Sequence, residues 1–122
     1  MKSSCNFYEL SQAGLIKEAN FLKSTNFDVR PKDKLINLVV IHSISLPPNK
    51  FGGTFIEDFF TNKLNIGSHS YFKKIKGLKV SSHFLIKRDG ELIQFVSCKD
   101  RAWHAGESNW KNNSNCNDFS IG

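Results

Sequence analysis

Four histidines offer the most chemistry in this chain: His42, His69, His83 and His104. A neutral imidazole can ligate zinc, move a proton or hold a substrate oxygen. None of the four forms an HExxH or another close-spaced pair, so a metal site has to be assembled from distant segments. His42 closes the run LVVIH and is followed by Ser-Ile-Ser-Leu-Pro-Pro. An imidazole at the C-terminal end of a strand sits where α/β sheets bind ligands, and an apolar strand would hold it rigidly. A strand-end histidine bonded to a loop fits the same position. His83, inside SSHFLIK, reads as a packed or hydrogen-bonded strand histidine, and His69 as an exposed residue at a helix start. Trp103-His104 lies on a glycine-containing loop, where a flat apolar ring beside a polar one suits ligand gripping. A tryptophan that simply anchors a long loop explains the pair equally well. No glycine-rich phosphate loop and no nucleophile elbow occurs.

These residues need elements to carry them. Residues 35–42, LINLVVIH, are β-branched and almost wholly apolar, which predicts a central strand buried on both faces. Pro47 and Pro48 take the chain out of the sheet. TFIEDFFTNKL predicts a helix, with Thr54 and Glu57 as a capping box and Phe55/Phe59 and Ile56/Phe60 as i,i+4 pairs. SYFKKIKGL predicts a second short helix stopped by Gly77. VSSHFLIKRDGELIQFVS predicts a hairpin about Asp89-Gly90, a preferred type I′ pair. Residues 7–23 suit a helix or an extended stretch, NFDVRPKDK reads as a turn-rich lead-in, and CKDRAWHAGESNW as a loop. NDFSIG starts a new apolar run. Alternating elements with one antiparallel hairpin give an α/β class: a single domain with a mixed central β-sheet and flanking helices.

Composition narrows the function classes. With 122 residues, 39% hydrophobic and eleven of them Phe, the chain can bury a real core and wholesale disorder is excluded. No apolar stretch approaches the ~18 residues of a membrane helix, and MKSSCNFYEL lacks a secretory core, so the expectation is a soluble, cytoplasmic protein. Cys5, Cys98 and Cys116 match no zinc knuckle or redox pair and are expected as free thiols. The net charge of +6 comes almost entirely from lysine. Sequence-specific DNA readers lean on arginine, so a nucleic-acid role is disfavoured and a solvated lysine surface preferred.

VVIHSISLPPNKFGG, VSSHFLIKRDGELIQFVS, RAWHAGESNW and CNDFSIG together resemble, in order and spacing, the AmpD-type 1,6-anhydro-N-acetylmuramyl-L-alanine amidases of the amidase-2 and peptidoglycan-recognition superfamily. The resemblance runs from about Gly14 to Gly122, with residues 1–13 as an N-terminal extension and 14–122 as the N-terminal portion of an amidase-2 domain. It implies a cytoplasmic zinc enzyme of cell-wall recycling. Such an enzyme cleaves the amide between the lactyl group of anhydro-N-acetylmuramic acid and L-Ala, as a monomer without nucleic-acid or membrane partners. His42 matches the family's first zinc ligand. Trp103, His104 and Ala105 match intact and are implied to line the substrate groove. Lys79 stands where relatives hold the sugar-peptide with arginine, Asn115 replaces a basic residue, and Ser43 replaces an asparagine. The family's glutamate, catalytic lysine and two further zinc ligands match no residue up to Gly122. The expectation is therefore a C-terminally truncated member with one of three zinc ligands, no catalytic residue and no activity. A zinc-free muropeptide-binding module is the alternative.

Overall fold

The computed structural model describes residues 7–122, so Cys5 lies outside the described residues. The strands are short: β1 (Asn20–Phe21), β2 (Phe27–Val29), β3 (Leu38–Val39), β4 (Phe84–Ile86), β5 (Leu92–Gln94), β6 (Asp100–Ala102), β7 (Asn109–Trp110), β8 (Asn113–Ser114) and β9 (Ser120–Ile121). The order β1-β5-β4 makes a mixed three-stranded sheet, with β1 parallel and β4 antiparallel to β5. β3 pairs in parallel with β9, and β2 and β6 pair antiparallel to one side. The amides of His83 and Phe84 donate to the Gly122 carbonyl, which ties the β3–β9 pair to the edge of β4. The result is the expected mixed α/β fold.

α1 (Phe55–Phe60) packs its aromatic face on this sheet. Phe60, Ile93, Phe95, Val96 and Ala102 form the core, joined by Phe27, Ile56, Phe59, Val80 and Leu85. Phe60 meets Phe95 edge to face at 5.2 Å. Burying such a ring stabilises by roughly 1.5–3 kcal/mol, so the phenylalanines explain how strands of two or three residues hold together. The expected capping box does not form. Thr54 Oγ1 reaches Asp58 rather than a backbone amide, because Glu57 is turned inward to Lys87, 3.2 Å away. SYFKKI is 3₁₀-helical (Ser70–Ile75), started by His69, whose exposed ring accepts from the Tyr71 amide.

Three other expectations are corrected. The 35–42 run is not buried on both faces: only Leu38–Val39 is laddered, and Val39 and Ile41 are 68% and 92% exposed. Among the described residues β3 has a neighbour on one edge alone, and no layer covers its far half. The Asp89-Gly90 hairpin forms, but Gly90 alone has positive φ, with its amide on the Lys87 carbonyl. That is a type I turn closed by a left-handed glycine, not type I′. NFDVR is strand β2 rather than a lead-in, and the Trp-His loop begins as its partner β6. Residues 7–23 form no helix: turns at 12–13 and 17–18 lead into β1, and Gly14 (φ +79°) is held where a side chain would overlap the Ser97 hydroxyl.

Candidate functional site

A trough of about 1080 Å³ opens between β3 and β4, lined by residues 39–45, 84–90 and Gly122, with Ile56 and Glu57 of α1 below. His42 and Ser43 stand on its β3 wall. Pro47 and the turn after it carry the chain away, so the imidazole stands at the trough's edge in the irregular segment that follows β3. Its Nε2 lies 2.9 Å from His104 Nδ1, the two rings meeting edge to face at 5.1 Å. Positions 42 and 104 come together at β9, which pairs with β3 and whose Ser120 hydroxyl, with the following Gly122, adjoins the His104 ring. A Cβ at Gly122 would overlap the His104 ring, so only glycine admits the imidazole there.

The loop bearing His104 is held from several sides. Asn117 Oδ1 accepts from the amides of both His104 and Ala105, at 3.1 and 2.9 Å. Ser120 Oγ bonds His104 Nε2 at 3.0 Å. The Trp103 amide donates to Ser81 Oγ, and its indole N–H to Asp28 at 3.2 Å. Arg101 bridges Asp28 and Asp118. Its hydrogen bond holds the Asp28 carboxyl below the usual carboxylate range. Trp103 is thus an anchored ring whose polar edge is already engaged.

Behind this layer lies a buried cation. Arg30 donates to the carbonyls of Cys98, Asn117, Asp118 and Ser120, so burial lowers its pKa without leaving its N–H groups unmatched. His83 adjoins it at 3.1 Å. The Gly122 amide donates to His83 Nδ1, which puts the proton on Nε2, where it is donated to the Asp100 carbonyl at 2.9 Å. Burial, aided by Arg30, drops the His83 pKa to about 4. His104 falls to about 4 as well, by burial first and then by the charges of His42, His83 and Arg30. Both rings are neutral at pH 7.

Of the residues singled out in the sequence, His42, Ser43 and His104 converge, with Trp103 and Ala105 on the same loop as His104. Lys79 does not join them: it lines a separate hollow with Phe59, Asn62 and Leu78. Asn115 is exposed, in a left-handed turn after β8. Arg30, Asn117, Ser120 and Gly122 were missed. Only the placement of Asn117 and Ser120 just before an apolar run hinted at capping roles; nothing local marks Arg30.

His42 suits zinc by donor type, but its Nε2 is engaged by His104 in either tautomer. Among the described residues no group of three or more His, Cys, Asp or Glu side chains could hold a metal ion. A catalytic zinc takes three protein ligands, so the donors present do not complete such a site. Cys98 and Cys116 are unpaired and buried, and burial pushes the Cys98 thiol up.

The family model Amidase_2, N-acetylmuramoyl-L-alanine amidase, matches residues 31–122. The chain belongs to this family. It is 48% identical over 111 residues to the 1,6-anhydro-N-acetylmuramyl-L-alanine amidase AmpD of Haemophilus influenzae, covering 91% of this chain and 60% of that protein. With the AmpD of Escherichia coli it shares 45% over 113 residues, 93% of this chain and 62% of the relative. A crystal structure of a selenomethionine AmpD derivative superposes with a TM-score of 0.88 at 46% identity, over 93% of this chain and 63% of that one. The solution structure of Citrobacter freundii AmpD gives 0.59 at the same identity, over 93% and 61%. The chain thus spans about three-fifths of the length of these amidase-2 relatives. Among the described residues no helix is long and apolar enough to cross a membrane.

Proposed function

We propose that residues 14–122 are the N-terminal portion of a zinc-dependent amidase-2 domain acting on anhydro-muropeptide in cytoplasmic cell-wall recycling. The bond cleaved is the amide between the lactyl group of anhydro-N-acetylmuramic acid and L-Ala. The observation that carries this reading is the convergence of His42 and His104 at the trough edge, in a chain of this family. His42 is the zinc ligand this segment contributes. Ser43, Trp103, His104 and Ala105 border the sugar-peptide, with Lys79 and Asn115 as outlying contacts. Because the donors within the described residues do not complete a zinc site, the 122 residues by themselves do not cleave muropeptide.

A second reading, a zinc-free muropeptide-binding module, is favoured by the engagement of His42 Nε2 by His104. Calorimetric titration of this chain with anhydro-muropeptide, with and without chelator, separates the two. Binding that weakens on chelation supports the zinc reading, and binding indifferent to chelator supports the module. Chromatographic detection of released L-Ala-headed peptide would overturn the expected lack of turnover.

A further inference from the structure

We propose that the lobe formed by residues 63–79 docks on a membrane surface of anionic phospholipid, its lysines against the headgroups and Leu78 at the apolar boundary. The contact is peripheral and is independent of the amidase reading.

The charge of the chain is concentrated here. Residues 63–79 contain Lys63, Lys73, Lys74, Lys76 and Lys79 and no Asp or Glu, whereas the rest of the chain holds twelve basic and eleven acidic residues. Nearly all of the net charge of +6 therefore sits in one segment. The five lysines are exposed, and among the described residues none pairs with a carboxylate. Like charges gathered this closely repel one another, and an anionic surface relieves that repulsion.

The lobe is a fixed platform. Asn26, 1% exposed, donates to Asn62 Oδ1 and to the Val80 carbonyl, both at 2.9 Å, so the chain leaves and re-enters the fold at one buried amide. Phe72 is fully buried and meets Phe55 edge to face at 5.0 Å. The side chains of Asn65 and His69 accept from the Gly67 and Tyr71 amides and start the two 3₁₀ turns. The lobe contains no strand, so it offers no edge to an extended peptide.

Apolar groups interleave with the ammonium groups. A hollow of about 270 Å³ is lined by Phe59, Leu64, Ile66, Ile75 and Leu78 together with Lys76 and Lys79. Leu78, between those two lysines in the chain, is 52% exposed. This mixture suits the bilayer boundary, where lysine stems lie along apolar surface and their heads reach the headgroups. It suits nucleic acid less well. The segment has no arginine, Phe72 is buried, and the half-buried Tyr71 ring already has Lys74 Nζ 5.8 Å from its centroid.

The test is cosedimentation of the intact chain with vesicles of equimolar phosphatidylglycerol and phosphatidylcholine. Binding is expected to these vesicles and not to phosphatidylcholine alone, and it should fall as salt shortens the screening length. Each lysine near an anionic surface contributes about fivefold, so neutralising three with Lys73→Gln/Lys74→Gln/Lys76→Gln should weaken partitioning about a hundredfold. Lys17→Gln/Lys32→Gln/Lys99→Gln removes the same charge elsewhere and should weaken it by less than about tenfold. All six positions are exposed, so both variants should melt with the parent. Leu78→Ser should weaken binding severalfold while leaving its salt dependence unchanged. Absent binding, equal binding to both vesicle types, equal loss in the two lysine variants or an unweakened Leu78→Ser variant overturns the proposal. So does tighter binding of single-stranded polydeoxythymidylate than of vesicles at the same salt, which would make nucleic acid the partner.

Discussion

Acid should weaken this protein through His83, and by a calculable amount. The ring is fully buried, accepts from Gly122 and donates to Asp100, with the Arg30 guanidinium beside it. Folding lowers its pKa from 6.5 to about 4. The unfolded chain therefore takes up a proton near pH 6.5, while the folded chain waits until about pH 4. The stability tied to the neutral ring is complete above the unfolded value, drains as the pH falls through this window, and is gone below the folded value. At 1.36 kcal/mol per pH unit the loss is about 3 kcal/mol, a large share of the roughly 5–15 kcal/mol typical of a domain. Other groups titrate in the same range, His104 among them, so the clean measurement is a difference. Urea unfolding followed by tryptophan fluorescence, at pH 7 and pH 4, should be compared between the parent and His83→Gln. The glutamine amide can keep one donor and one acceptor but cannot titrate. The variant should lose about 3 kcal/mol less than the parent between the two pH values. Equal losses, or an NMR titration placing His83 near 6.5, would refute the reasoning.

Three more outcomes follow from the same packing. Arg30→Ala strands the carbonyls of Cys98, Asn117, Asp118 and Ser120, and should cost about 3–5 kcal/mol in urea unfolding. Asn117→Ala removes the acceptor shared by the His104 and Ala105 amides, costing about 1–3 kcal/mol, with faster exchange at those two amides. Gly14→Ala forces a left-handed alanine against Ser97 and the Cys98 and Lys99 amides, and should lower stability by about 1–3 kcal/mol in thermal melts.

What the sequence determined by itself was local. Phe55–Phe60 formed a helix because its aromatic residues repeat at helical spacing. The Asp89-Gly90 hairpin formed because glycine can take the positive φ that closes it, although the turn type depended on the strand register. His42 was legible because an apolar run ends on it. The capping box failed because Lys87, thirty residues away, offered Glu57 a better partner than a helix amide. The buried placement of Arg30 was invisible, since its four carbonyl acceptors come from residues 98 to 120 and only the fold gathers them. The same holds for the His42–His104 contact, 62 positions apart in the chain. Residue type tells what a side chain can bond, but long-range strand pairing sets what it meets, and here β9 does so by pairing with β3 while its Ser120 and the following Gly122 adjoin the His104 ring.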